Sequence, residues 1–288
     1  MGMGASSTLS KIVMICILLI FVVWTVIPVM WIVSLSFKPY VEWRTPSLLP
    51  RKPTIENYLT LFSPKSVAVF IAYTAILEPI AGPLANSLIV AAVATVIAVI
   101  IGFFTAYGAS RYNTPGSFTL FFTLMTRMLP PATFLTPLMV YFTTLHLLDN
   151  LAGLILLYSA TTVTYAIWIL KGYIDALPIE WEEAALLEGA KPTEVLWKVV
   201  IPLIRPGLVV SGLFIFLMAW TELLFALVLT SVRAVTLPVQ VSKYVTAVGA
   251  LWGVQAAAAL LGSIIPVIIG YMIQKHLITG FTFGLVRA

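Results

Sequence analysis

The chain is punctuated by long, nearly uncharged apolar runs, and each is about as long as a helix needs to cross a bilayer. At 1.5 Å per residue, roughly 20 residues span a hydrocarbon core about 30 Å thick. Such runs cover residues 12–37, 84–109, 118–145, 151–171, 207–230 and 254–274. The chain is 61% hydrophobic and 9% charged, against about 25% charged in a soluble domain. Polar side chains are too few to coat a water-facing surface of this size, which leaves lipid as the main solvent. The expectation is an all-α membrane protein with six transmembrane helices.

The first run follows Lys11, as a signal peptide would, but it exceeds the 7–15 apolar residues of such a signal and no small-residue cleavage site follows it. Residues 1–37 are therefore read as an uncleaved first helix. Residues 38–83 form a proline-rich extracytoplasmic loop, in which apolar residues 66–77 are too short to cross and fit an interfacial or folded-back helix. Residues 84–275 make the core, and residues 276–288 a cytoplasmic tail. Asn86 and Ser87 can cap the second span. Pro130, Pro131 and Pro137 fall inside the third, where they free carbonyls that protein or water must satisfy. A kinked third helix lining a water-accessible path follows.

Six spans put both termini on one side. That side collects Lys11, Arg111, Lys171, Lys191, Lys198, Arg205, Lys275 and Arg287. The other holds Arg233, Lys243 and five cations of the first loop. Discounting that long loop, the bias places the termini in the cytoplasm.

Other chemistries lack their residues. The net charge of +5 comes with no basic cluster interleaved with aromatics, so nucleic acid is not a partner. Cys16 is alone, and His146 and His276 have no ligand companions. There is no G-x-x-x-x-G-K-[ST] phosphate loop, no H-E-x-x-H and no nucleophile–base arrangement. Trp24, Trp31, Trp168 and Trp252 fall near the predicted interfaces as belt anchors, with a ligand-stacking platform as the other option.

The connection between the fourth and fifth runs carries six of the eleven acidic residues: Asp175, Glu180, Glu182, Glu183, Glu188 and Glu194. It cannot lie in hydrocarbon, and it is longer than a minimal helix–helix connection. Its punctuation predicts two short helices. Pro178 suits a first helical position, the glutamates complement the positive end of a helix, and Gly189 suits the left-handed position that stops one. Pro192 opens the second helix through Thr193 to Val200, and Pro202 and Pro206 end it. Two rigid helices turned at a glycine make a knob, and Ala184 and Ala185 would let another backbone come close.

Glu183-Ala184-Ala185, with Gly189 four residues after Ala185 and Pro202 thirteen after Gly189, resembles the cytoplasmic coupling motif of ABC importer permeases. The likeness extends to Trp31-Ile32-Val33-Ser34-Leu35-Ser36-Phe37-Lys38, Asn86-Ser87-Leu88-Ile89, Ala219-Trp220-Thr221-Glu222 and Thr236-Leu237-Pro238-Val239. These are similar to the carbohydrate-uptake branch, and the ending Gln274 to Arg287 is similar to the smaller permease of maltose- and trehalose-type importers. Thr221 departs from the asparagine of many relatives, and Phe281 and Phe283 depart from small residues.

The resemblance implies a sugar permease subunit that forms half of a translocation path, with residues 175–206 as a cytoplasmic coupling insert. Glu183, Ala184, Ala185, Gly189 and Pro202 would meet an ATPase. The implied partners are a second homologous permease, two ATPase subunits that hold ATP and Mg, and an extracytoplasmic sugar-binding protein. No cofactor is implied for this chain.

Arg127 and Glu222 are the ionisable groups deepest in the predicted spans, where each isolated charge costs at least about 2.5–3.5 kcal/mol. Either they line or gate the path, which Pro130 and Pro131 help to open, or they form a static ion pair between two helices. An ion-coupled transporter acting alone is the competing class. It predicts midplane carboxylates and inverted repeats, whereas the sequence offers Glu222 alone and no repeat.

Overall fold

Some apolar runs stay whole, even through the internal prolines Pro28 and Pro266, and others break. A computed structural model describes residues 8–63, 78–246 and 249–285. The segment predicted as interfacial, residues 66–77, lies outside the described residues.

In chain order the helices are α1 (Thr8–Ser36), α2 (Glu56–Phe62), α3 (Ala81–Tyr112), α4 (Ser117–Met128), α5 (Leu135–Thr144) and α6 (Leu151–Asp175). There follow α7 (Glu180–Leu187), α8 (Pro192–Leu203), α9 (Arg205–Trp220), α10 (Leu224–Leu229), α11 (Leu237–Ser242) and α12 (Trp252–Leu285). A two-residue antiparallel ribbon pairs Val245 with Ala250 and Thr246 with Gly249.

Four helices among the described residues are long and apolar enough to cross a membrane, or five if the bent pair α8–α9 counts as one span. The sequence pattern predicts six, and the difference has a physical cause. The third run divides into α4 and α5 because a residue preceding proline is driven out of the α region. Leu129 (φ −72°, ψ 133°) and Pro130 (φ −59°, ψ 125°) are both extended, so the kink expected there is a full break. The fifth run divides at Thr221 to Leu223.

The residues fall into two compact units. The first holds residues 1–80 and 241–263. There Lys38, at the end of the Trp31 to Lys38 signature, is wholly buried. Its Nζ donates to the carbonyls of Thr45 (3.2 Å) and Ser47 (2.6 Å) and stands 4.6 Å from the Trp31 ring centroid. Asn57 donates to the carbonyls of Ser36 and Lys38, at 2.8 and 2.9 Å. The signature thus closes a turn, and Trp31 stacks on a cation within the chain.

The second unit, residues 81–240 and 264–288, is built on α3, α6 and α9 packed against one another. Ala94, Ala98, Gly102 and Ala106 recur every four residues along the buried face of α3. Small residues at that spacing let helix backbones approach within lipid, where apolar burial supplies no drive between helices. At Gly102 the approach is complete, because a Cβ there would run into the Cβ of Ala166 on α6.

At one end of this unit, residues 230–237 are fastened by side chains distant in sequence. The Asp149 carboxylate accepts the backbone N–H groups of Ser231, Val232, Arg233 and Ala234, the best at 2.9–3.0 Å. Asn86 Nδ2 donates to the carbonyls of Arg233 and Val235 (2.9 Å each), and Ser87 accepts from Leu237 N–H (2.7 Å). Two stretches of family resemblance, Asn86-Ser87 and Thr236 to Val239, are therefore contact partners about 150 residues apart. Asn150 caps α6 by accepting from Ala152 N–H.

Partial burial works to raise the Asp149 pKa, but the four N–H donors outweigh it and hold the carboxyl well below its ordinary value. A depressed folded pKa adds stability that is full above the unfolded value of about 3.9 and is lost as pH falls towards the folded one. Asp149→Ala is expected to lower the thermal midpoint in detergent by about 5 °C at pH 7, for a loss of ~2 kcal/mol. Wild type and variant should converge as the titration is carried below pH 4; parallel curves would remove the charge from the explanation.

Candidate functional site

The acidic connection folds as an elbow of two helices seated on the ends of α3 and α6. α7 begins at Glu180 with Ile179 as its N-cap, so Pro178 stands just outside the first turn. Gly189 ends it at φ +91°. Gly189 N–H reaches the carbonyl of Leu186 (3.0 Å) and Ala190 N–H that of Ala185 (3.1 Å), the bond pair of a Schellman stop. Pro192 is the first residue of α8, as predicted. Pro202 lies within the last turn of α8, and Pro206 falls in the first turn of α9 and so opens a helix instead of ending one. α8 and α9 meet at 71°.

Under the elbow lies an apolar cluster drawn from α3 (Ala98, Phe103, Ala106), α6 (Ala166, Leu170, Ile174) and α8 (Val195, Val200), which Ile204 and Ile215 complete. Ala185 and Ala190 pack against its edge. Between the two arms a groove of about 400 Å³ is lined by Ala185, Glu188, Gly189, Glu194 and Lys198, among others. Glu183 and Ala184 are exposed, as are Trp181 and Leu186, and Leu187 is 89% exposed.

Glu182, the neighbour of the motif, behaves in the opposite way. It is 5% exposed. Arg111 Nε donates to its Oε1 at 2.7 Å and the Tyr107 hydroxyl to its Oε2 at 2.8 Å. The same guanidinium donates to the carbonyl of Leu177 at 3.0 Å, just past the end of α6. The sequence marks Arg111 only as the end of a span and Glu182 only as one of several acids. Nothing in their spacing pairs residues 71 positions apart.

Arg127 and Glu222 are not joined. The Tyr158 hydroxyl donates to Glu222 at 2.6 Å, and the carboxylate also accepts the N–H groups of Phe225 (2.8 Å) and Ala226 (3.2 Å). It therefore caps α10 just past the break after α9. The Arg127 guanidinium lies 5.9 Å from the Tyr165 ring centroid, and Tyr165 meets Phe214 edge-on at 5.6 Å. Arg127 Nε is buried without a hydrogen-bond partner. Among the described residues Arg127 forms no ion pair, so the static Arg127–Glu222 bridge is set aside. Pro130 is exposed at the α4–α5 break. No group of three or more potential metal ligands gathers among the described residues.

Residues 98–282 match the family described as binding-protein-dependent transport system inner membrane component. Among curated relatives, the trehalose transport system permease protein SugB of Mycobacterium tuberculosis is 31% identical over 92% of this chain and 93% of its own length. The inner membrane ABC transporter permease protein YcjP of Escherichia coli is 32% identical over 97% and 98%. The trehalose/maltose transport system permease protein MalG of Thermococcus litoralis is 30% identical over 90% and 91%. In fold the chain is similar to a solved bacterial ABC transporter involved in alginate import, with a TM-score of 0.71, 23% identity, and coverage of 94% of this chain and 98% of that one. The chain belongs to the family of inner membrane components of binding-protein-dependent transport systems, and so to the ABC importer permeases. Members of this class are membrane components and carry no ATPase site of their own.

The left-handed stop gives a direct test of the elbow. No atom lies within 4 Å of a Cβ built on Gly189, so substitution there is opposed by backbone conformation alone. Gly189→Ala should cost about 1 kcal/mol in thermal unfolding, and Gly189→Asn less, since Asn tolerates the left-handed region. Equal stability of all three proteins would refute the assignment.

Proposed function

We propose that this chain is one permease subunit of an ATP-driven importer for a di- or oligosaccharide, and that α7 and its turn are where an ATPase subunit docks. The observation that carries this reading is the paradox of α7. A helix bearing Trp181, Leu186 and an almost fully exposed Leu187 turns apolar side chains outward and buries a glutamate instead. Exposed apolar groups gathered on one element mark a surface awaiting another protein. Glu183, Ala184, Ala185 and Gly189 lie on or beside that surface, and Pro202 closes the second arm.

In this reading two ATPase subunits hold ATP and Mg, a second homologous permease supplies the other half of the path, and an extracytoplasmic binding protein delivers the sugar. Both termini and the elbow lie in the cytoplasm. ATP binding closes the ATPase pair and draws the two elbows together; the rigid helices turn that movement into an outward-open cavity, and hydrolysis resets it. The names of SugB and MalG support trehalose or maltose as the first cargoes to try. The galactooligosaccharides transport system permease protein GanQ of Bacillus subtilis, 29% identical, supports a longer chain as the next.

Arg127, Pro130 and Glu222 are assigned to the translocation path. The support is a guanidinium over an aromatic ring with a free Nε, beside a proline break, and a carboxylate at a second break. Arg127→Met and Glu222→Gln should each reduce uptake of radiolabelled trehalose or maltose by about tenfold at constant protein level, and unchanged uptake would end the path assignment.

Docking is tested by purifying the tagged chain with its partners in mild detergent. Leu187→Asp should reduce the co-purified ATPase about tenfold. A wild-type chain that brings no ATPase would overturn the reading. Uptake that survives ATP depletion but stops when the ion gradient is dissipated would favour an ion-coupled transporter acting alone.

A further inference from the structure

One buried side chain does most to fasten α7. Helices usually dock through a stripe of several apolar side chains. On α7 that stripe is missing, for Ala185 is half-buried and the other apolar side chains are exposed. Its one buried residue is Glu182. Arg111 and Glu182 are 10% and 7% exposed at their side chains, and both carboxylate oxygens are taken, one by the guanidinium and one by Tyr107. Because Arg111 also holds the carbonyl of Leu177, one guanidinium ties α7 to the last turn of α3 and to the end of α6.

Stability alone does not account for this choice. A buried ion pair carries a desolvation cost, and well-packed apolar residues in its place are often neutral or stabilising. What the pair provides is direction. Apolar surfaces resist separation yet slide, whereas a carboxylate gripped by charged donors at fixed angles resists displacement either way. The α3 helix runs unbroken for 32 residues, about 48 Å. Near its other end Asn86 and Ser87 hold residues 233–237. A rod clamped by side chains at both ends can carry motion from one to the other.

We propose that Arg111, Tyr107 and Glu182 are positioning residues that form the joint through which α7 moves α3, and that α3 carries the displacement to the segment 231–237. This rests on the reading of α7 as the ATPase docking element. The importer complex, purified through a tag on this chain and reconstituted in liposomes, supplies the test. A single reporter cysteine replaces Val232, which is 65% exposed, in a Cys16→Ser background. Its maleimide labelling rate is compared with and without ATP, and hydrolysis is measured in the same samples, so no cargo need be known.

The ATP-dependent change should appear in the wild type. In Arg111→Met and Glu182→Gln it should fall about tenfold while hydrolysis continues, and the exchanged pair Arg111→Glu with Glu182→Arg should recover part of it. Tyr107→Phe keeps the ion pair and should lose about threefold, which decides the matter if the stronger variants do not assemble. A response equal to wild type in hydrolysing variants overturns the proposal. So does a loss of labelling response that only follows a loss of hydrolysis, or a wild type whose Val232 position ignores ATP. A wild-type chain that retains no ATPase refutes the docking reading instead, and is seen before any label is added.

Discussion

In hydrocarbon no water stands ready to accept a freed N–H or donate to a freed carbonyl, so each departure from helix must be answered by another part of the chain. Three unbroken stretches, α3, α6 and α9, meet that constraint internally, and the small-residue face of α3 brings their backbones together. Interruptions are met by side chains placed for the purpose. Glu222 accepts the N–H groups that the break after α9 leaves open. Asp149 gathers four consecutive donors of residues 231–234, and Asn86 takes carbonyls of the same stretch. Glu222, Asp149 and Asn86 therefore each stand where continuity of the helix fails.

That logic also explains what could be read from the sequence. Apolar run length located α1, α3, α6 and α12 because hydrocarbon thickness fixes it. Gly189 and Pro192 were legible because each imposes a dihedral restriction that acts locally, whatever surrounds it. Breaks were harder. Pro130 and Pro131 announced a disturbance, but whether an apolar run bends or separates depends on two successive pre-proline residues being forced extended. Pro206 misled for a related reason: the residue that cannot continue a helix is also well suited to begin one.

The site was half legible. The motif residues Glu183, Ala184 and Ala185 lie on or near the outer surface of the elbow, where local composition put them. The residue that fixes the elbow, Glu182, is adjacent to the motif yet depends on Arg111 and Tyr107 in another helix, and no periodicity links them. Arg127 and Glu222 failed as a pair for the same reason. Depth along a span says that a charge needs a partner, and it does not say which. The partner of Glu222 is the Tyr158 hydroxyl in α6, 64 positions away.

Burial on α7 inverts the usual arrangement, and the inversion limits what the elbow can do. An amphipathic helix that buried Leu186 and Leu187 would be more tightly held, but it would leave little apolar surface for a second protein. With those side chains outside and a glutamate inside, α7 offers adhesion outward and a directional attachment inward. An adhesive face alone would let a docked protein drag α7 across the apolar cluster beneath it. The guanidinium, which holds the Leu177 carbonyl just past α6 as well as the carboxylate, opposes that slip. On the reading of α7 as a docking element, motion applied to its outer face would be handed to α3 where Arg111 and Tyr107 grip Glu182.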